Sequence, residues 1–317
     1  MRNSDIINES MQNKQSKVFL IILNWNGWKM TLDCLNSVNT INKNGFNLET
    51  LIVDNGSTDG SVEKIEEKHK DLIILKNKKN LGFAEGNNVG IRYALKNGAD
   101  YVCLLNNDTR VDPDFLEELF KIAESDEKIG IVGGKIYFEK KYEFFKDKYK
   151  DSQRGKVIWY AGGLIDWNNV YASHRGVNEV DTGQYDQTVE TEYISGCLMF
   201  GAREMFRKAG LFDKRYYLYF EDVDLSQRIR KEGFKLIFYP KAKIWHLNSG
   251  SSGSGSSLHD YFITRNRLLF GMKYASLRSK IALIKESLEL LKNGRKWQKI
   301  GVRDFYFRRY GKGSWNG

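Results

Sequence analysis

Four short, mainly apolar runs, at 18–23, 48–53 (broken by Glu49 and Thr50), 72–75 and 101–105, each stop abruptly in a polar loop, and stretches with apolar residues at helical spacing lie between them. A strand with one wet face alternates apolar and polar residues. A strand that reads apolar throughout is covered on both faces, so the pattern requires a sheet with helices on either side. The expected fold is α/β: a mixed, mainly parallel sheet flanked by helices, with a helical segment at the C-terminal end. Beyond Pro113 a helix is expected through Phe115, Leu116, Leu119, Phe120 and Ile122, then a strand at 129–132. Residues 139–156 have no period and read as an exposed excursion. Strands are expected around Gly162-Gly163, at 193–199, 236–239 and 243–246, with helices at 202–209, ended by Gly210, and from 218 through Ile229. The loop at 80–88 reads as glycine-rich and irregular, with its helix confined to 89–96.

At 317 residues and 41% hydrophobic content the chain has ample core for one large domain with an appendage. Its expected boundaries are a flexible polar tail at 1–16, a main domain at 17–250, and a Gly/Ser lid with a basic helical segment at 251–317. The net charge of +10 is unevenly placed: residues 258–317 hold fourteen Lys/Arg against four Asp/Glu, and the remainder is balanced. Such a segment favours an anionic partner such as a membrane surface or a diphosphate lipid. Nucleic acid is disfavoured, because the rest of the chain is neutral and no reading motif is present. Residues 1–17 contain no apolar signal core, and the run at 18–23 is far too short to cross a bilayer, so membrane contact is expected to be peripheral. The odd set Cys34, Cys103 and Cys197 fits no zinc spacing and reads as reduced, buried thiols of a cytoplasmic protein.

Carboxylates and amides at the strand ends carry the candidate chemistry. Asn106-Asn107-Asp108 closes the fourth apolar run, and ligands of open α/β sheets sit at that edge. Asp108 suits Mg2+ or Mn2+ bridging a diphosphate; equally, the triplet suits a polar turn into the next helix. Asp54, ending the second run, is placed to accept hydrogen bonds from a ribose or base, or to form an Asx turn. Glu221 and Asp222 are adjacent at an expected helix start, after the aromatics Tyr216, Tyr217, Tyr219 and Phe220. One carboxylate can cap the helix while the other takes a raised pKa suited to general-base work; simple N-terminal helix charge is the plainer alternative. His246, beside the Gly/Ser run, is either structural or a metal or phosphate contact that orders that run. The chain lacks both G-x-x-x-x-G-K-[ST] and G-x-G-x-x-G, which removes support for nucleoside triphosphatase and dehydrogenase readings.

Taken together, Ile22-Leu23-Asn24-Trp25-Asn26, Val53-Asp54-Asn55-Gly56-Ser57-Thr58-Asp59-Gly60, Asn80-Leu81-Gly82-Phe83-Ala84-Glu85-Gly86-Asn87-Asn88, Asn106-Asn107-Asp108, Ser195-Gly196-Cys197, Phe220-Glu221-Asp222, His246 and the Tyr261-to-Asn266 segment resemble an inverting nucleotide-sugar glycosyltransferase of family 2, with the GT-A fold. More narrowly they resemble its rhamnosyltransferase-like branch, and the match spans about residues 17–270. The resemblance implies that Asn24, Asn26, Asp54, Asn55, Gly82, Phe83, Asn87 and Asn107 bind the nucleotide sugar. It implies that Gly196, Cys197 and Glu221 face the acceptor, that Asp222 is the catalytic base, and that Asp108 and His246 hold Mg2+ or Mn2+. The usual first carboxylate of the D-x-D motif is Asn106 here, which leaves Asp108 as the anionic ligand and raises the weight on His246. The implied donor is dTDP-rhamnose, with UDP-sugars compatible with the same residues. The implied acceptor is a glycan or a polyprenyl-diphosphate-linked glycan of the cell envelope, met in the cytoplasm at the inner face of the membrane through 258–317. A homodimer is compatible with the reading. A non-catalytic glycan-binding or scaffolding protein is the alternative of a different class.

Overall fold

The computed structural model describes residues 15–145, 147–247 and 256–316. Most of the expected tail and of the Gly/Ser lid therefore lies outside the described residues. The leading strands β1 (Ser16–Asn24), β2 (Phe46–Asp54), β3 (Ile73–Lys76) and β4 (Tyr101–Asn106) alternate with α1 (Trp28–Val38), α2 (Ser61–Lys68) and α3 (Gly82–Lys96). They pair in parallel in the order β4-β1-β2-β3. Val18, Phe19, Leu20, Ile21 and Ile22 have no exposed surface, as strands covered on both faces require. The two faces pack into two separate clusters. Leu20 and Ile22 lie with α1 and α4 (Phe115–Glu124); Phe19 and Ile21 lie with α3 and α5 (Arg203–Ala209).

The sheet continues beyond β4 with β5 (Thr109–Val111), β6 (Ile129–Phe138), β7 (Ile158–Tyr160), β10 (Val189–Glu190), β11 (Leu198–Ala202) and β12 (Lys235–His246), giving ten strands. β11 runs antiparallel between β4 and β6, and β12 lies parallel to β6, so the sheet is mixed. β8 (Gly163–Asp166) and β9 (Tyr171–His174) form a separate hairpin. Helix α6 (Glu221–Lys231) precedes β12, and α7 (Ser257–Tyr274), α8 (Leu277–Asn293) and α9 (Lys296–Tyr306) complete the chain.

Several local expectations are corrected. The segment 82–88 is helical, not loop. Asn80 Oδ1 accepts from the Gly82 N–H at 2.8 Å, which starts the helix early. The asparagines that argue against helix are satisfied in place. Asn87 Nδ2 donates to the Phe83 carbonyl one turn back, and Asn88 pairs with both the carbonyl and the N–H of Phe212. The strand at 193–199 begins only at Leu198. The runs 236–239 and 243–246 are one strand with a register shift between Tyr239 and Lys243, around Pro240, which has no N–H for the ladder. The excursion at 139–156 is anchored as well as exposed: Tyr149 packs with Phe138 and Val157, and Glu143 Oε1 accepts from Gly155 N–H.

Candidate active site

The parallel register brings the C-terminal ends of β1, β2 and β4 into one row, with Asn24 opposite Asp54 and Leu23 opposite Asn106. Asn24 is fully buried and organises this row. Its Nδ2 donates to Asp54 Oδ1 at 2.8 Å and to Ser57 Oγ at 3.1 Å, while its Oδ1 accepts from Thr31 Oγ1 at 2.8 Å. Asp54 Oδ2 accepts from the Ser57 N–H at 3.0 Å, which leaves lone pairs on both oxygens. Asn26, at positive φ, accepts from the Thr58 N–H and closes the same loop. Asn107 Nδ2 donates to Thr31 Oγ1 at 3.0 Å, tying the β4 end to the frame. The Asn55 amide is taken up by structure: it bonds Asn80, the Gly82 carbonyl, Asn77 and the Leu81 N–H.

β5 pairs antiparallel with the end of β12, Thr109 opposite His246, so the residue before β5 meets the last residue of β12. His246 Nε2 lies 3.1 Å from Asp108 Oδ1, and both side chains are mostly buried. The Leu247 N–H donates to the Asp108 carbonyl at 2.9 Å and fixes the junction. His246 Nδ1 is buried without a hydrogen-bond partner. The Trp159 ring lies between His246 and His174, with centroids 4.7 and 4.2 Å away. Burial lowers the His174 pKa to about 4, so that imidazole is neutral near pH 7. A carboxylate and an imidazole at this spacing fit a divalent cation that draws its other ligands from a diphosphate and water. Among the described residues no group of three His, Cys, Asp or Glu side chains could enclose a metal without such help.

On the other side, α6 starts from a strained turn. Tyr217, Tyr219 and Phe220 have φ of 67°, 67° and 71°, unfavourable for residues with side chains. The turn is held from outside. Asn266 Nδ2 donates to the carbonyls of Tyr216, Leu218 and Tyr219 at 2.8–2.9 Å. Fully buried Arg265 bonds the carbonyls of Arg215 and Tyr216. The turn delivers Glu221 and Asp222. The Asp222 carboxylate accepts from the N–H groups of Gly196 at 3.0 Å and Val223 at 2.8 Å, and it retains exposed surface. Desolvation raises its pKa, and these N–H groups oppose the rise. Glu221 is buried with Oε2 unpartnered; burial first, and the Asp222 charge second, push its pKa well up. Of the pair, Glu221 is the buried member whose pKa is pushed up the more, and Asp222 is the carboxylate with exposed surface.

The two sides are joined. A Cβ on Gly196 would meet the Phe83 ring at 2.9 Å, and one on Gly82, at φ +80°, would meet the Tyr217 ring at 2.4 Å. The Asn106 N–H donates to the Cys197 carbonyl at 3.0 Å. Gly196, whose N–H binds Asp222, and Cys197, whose carbonyl binds Asn106 two residues before Asp108, are neighbours in the chain, so the two carboxylates are tied to one short segment. The sequence reading missed Trp159 and His174, which the β7 and β9 strands bring against His246. A histidine in a short strand gives no signal of its partner before the pairing is known.

A model of glycosyl transferase family 2 matches residues 19–204. The N-acetylglucosaminyl-diphospho-decaprenol L-rhamnosyltransferase of Mycobacterium tuberculosis (strain ATCC 25618 / H37Rv) is 25% identical over 232 residues, covering 67% of this chain and 70% of that protein. The poly-beta-1,6-N-acetyl-D-glucosamine synthase of Staphylococcus aureus (strain MW2) is 27% identical over 239 residues, 70% of this chain and 50% of that one. Among solved structures, GalNAc-T7 with UDP, GalNAc and Mn2+ superposes with a TM-score of 0.59 at 16% identity, covering 93% of this chain and 57% of its own. A mannosyltransferase from Pyrobaculum calidifontis in complex with GDP-Man and Mn2+ gives 0.51 at 14% identity, covering 96% and 88%. This chain therefore spans little more than half of the first of these solved chains and half of the staphylococcal synthase. The chain belongs to glycosyl transferase family 2, and its sheet has the GT-A architecture.

Proposed function

We propose that this family 2 glycosyltransferase is an inverting, metal-dependent hexosyltransferase. Its proposed reaction moves L-rhamnose from dTDP-rhamnose to a hydroxyl of a glycan or polyprenyl-diphosphate-linked glycan. The observation that carries the reading is the Asp222 carboxylate, aimed by the Gly196 and Val223 N–H groups beside buried Glu221, with the 195–197 segment bonded to the strand end that precedes the Asp108–His246 pair. A divalent cation held by Asp108 and His246 supplies the positive charge that offsets the leaving diphosphate.

The chain's own residues do the rest. Asp54 has lone pairs left for the nucleoside, with Asn24, Asn26 and Asn107 fixing the frame around it. Asn55, Gly82, Phe83 and Asn87 shape the donor side, chiefly by holding α3 and its approach to the Tyr217 turn. Asp222 takes the proton of the acceptor hydroxyl as that oxygen bonds to the anomeric carbon. The bond from that carbon to the diphosphate breaks on the opposite face, so configuration inverts. Burial favours the neutral form of Glu221, which adds no second charge to repel a carboxylate or phosphate of the acceptor, and Gly196, next to Cys197, fixes Asp222 through its N–H.

Rhamnose rests on the mycobacterial relative's being an L-rhamnosyltransferase together with the motif resemblance; UDP-sugars are the second reading, supported by the UDP-bound fold neighbour. A thermal-shift panel with dTDP, UDP, GDP and CDP, each with Mn2+ or Mg2+, chooses between them. A ligand at a hundredfold excess over Kd adds about 2.7 kcal/mol to stability. Turnover of the preferred donor with a polyprenyl-diphosphate N-acetylglucosamine acceptor follows, with the product's anomeric configuration read by NMR. A retained configuration removes the single-displacement mechanism. No response to any nucleotide favours a non-catalytic glycan-binding protein.

A further inference from the structure

Helix α8 is built inside out for a helix on an aqueous surface. Its buried positions Ser279, Leu283 and Ser287, four residues apart, include two hydroxyls, and these are satisfied inward: Ser279 Oγ donates to the Trp167 carbonyl and Ser287 Oγ pairs with Tyr306 OH. Leu283 is buried and Leu290 and Leu291 pack against the core, but four further aliphatic residues face out. Leu277, Ile281, Ile284 and Leu288 are 75%, 47%, 41% and 52% exposed. Their spacing of four, three and four residues places all four on one stripe. Exposed Arg278, Lys285 and Lys292 project along one border of the stripe at helical spacing, and half-buried Lys280 lies on the other.

The preceding helix shows the contrast. Leu268, Leu269 and Phe270 on α7, adjacent to the same basic segment, are 4%, 7% and 0% exposed and belong to the core. They offer no membrane face, because α7 is clamped to the catalytic domain through Arg265 and Asn266. Among the described residues of 258–317, the exposed aliphatic side chains Leu277, Ile281, Ile284 and Leu288 all lie on α8, with Tyr306 and Phe307 exposed at the end of α9. Four large aliphatic side chains turned outward on one helix call for a partner, and the cations bordering them state its charge. The whole +10 excess of the protein sits in 258–317. No described helix is long and apolar enough to cross a membrane.

We infer that the outer face of α8 lies in the plane of an anionic lipid bilayer, with Leu277, Ile281, Ile284 and Leu288 inserted among the acyl chains and Arg278, Lys285 and Lys292 at the headgroups. Stripe width, outward orientation and basic borders are those of an interfacial helix. Each cation near such a surface adds attraction that depends on anionic lipid and is screened by salt. The inference concerns a surface separate from the catalytic residues and stands whichever donor the site takes.

The full chain is tested by co-sedimentation with phosphatidylcholine vesicles with and without phosphatidylglycerol, alongside Ile281→Asp/Leu288→Asp and Lys285→Glu/Lys292→Glu. All four positions are exposed, so both variants keep the wild-type melting temperature. The wild type should partition strongly only onto the phosphatidylglycerol vesicles, and each double variant should lose about tenfold or more in partitioning. Light scattering reports the oligomeric state of each protein. The inference is overturned if the wild type stays in the supernatant with anionic vesicles, or if Ile281→Asp/Leu288→Asp sediments unchanged. A wild-type dimer that Ile281→Asp/Leu288→Asp converts to monomer, with vesicle partitioning unaffected, assigns the stripe to a second copy of the chain instead.

Discussion

Replacing Asn266 by alanine tests whether the strained turn before Asp222 is held by the C-terminal helices. In the wild type one buried amide bonds three carbonyls, those of Tyr216, Leu218 and Tyr219. At about 0.5–1.5 kcal/mol net for each bond, the three together contribute about 2–4 kcal/mol. Against them stand Tyr217, Tyr219 and Phe220 at positive φ, each storing about 1–3 kcal/mol. Summed, that strain is about 3–9 kcal/mol, of which the amide bonds offset a large share, so losing the amide lets the turn relax, and Asp222, two residues beyond Phe220, moves with it. A displacement of about 1 Å at a reacting group costs about a hundredfold in rate. Asn266→Ala should therefore lower kcat about a hundredfold, leave the donor dissociation constant within about threefold, and lower stability by about 2–4 kcal/mol. Steady-state kinetics, nucleotide titration and denaturant unfolding measure the three separately. A folded Asn266→Ala protein with kcat within a few-fold of wild type refutes the reasoning. So does a variant whose loss lies wholly in donor binding.

Asp222→Asn should reduce turnover by about 10²–10⁴-fold with unchanged donor affinity. In the wild type, activity should fall as pH drops through an Asp222 pKa raised by desolvation, and kcat/KM profiles locate that limb above the ordinary carboxylate range. Glu221 holds its proton in the folded state but not in the unfolded chain, so its contribution to stability is full below the unfolded pKa and is lost as pH rises toward the folded one. Glu221→Gln keeps the neutral shape, so its melting temperature should exceed that of the wild type increasingly between pH 5 and pH 8, as read by calorimetry. Gly82→Ala places a methyl group against the Tyr217 ring at positive φ and should destabilise by more than about 1 kcal/mol, with an activity loss, as measured by urea unfolding and turnover.

The parallel half of the fold was legible because its strands are covered on both sides and so read as mainly apolar runs; β1, β2, β3 and β4 lie within a few residues of expectation. Asp54, Asp108 and Asp222 stood out as candidates because each carboxylate lies at or beside the end of an element, where a polar residue contrasts with apolar neighbours. What was not legible depends on partners distant in sequence. Asn87 and Asn88 look like loop residues until the Phe83 carbonyl and the Phe212 backbone are seen to satisfy them. The left-handed turn at 217–220 leaves no glycine in the sequence to mark it, because Asn266, nearly fifty residues away, supplies the compensation. Leu268 and Leu269 on α7 and Leu277 and Leu288 on α8 are the same residue type in the same basic segment; only packing shows that the first pair is buried and the second exposed.

The central claim is that Asp108 and His246 together recruit a cation through which a nucleoside diphosphate is held. Calorimetric titration of dTDP and UDP, with Mn2+ and with chelator, into the wild type, Asp108→Ala and His246→Ala measures it directly. The account predicts binding of at least one of the two nucleotides by the wild type with Mn2+, loss of about tenfold or more in affinity on chelation, and a similar loss in either variant with Mn2+ present. Equal affinity with and without metal, or unchanged binding in both variants, contradicts it.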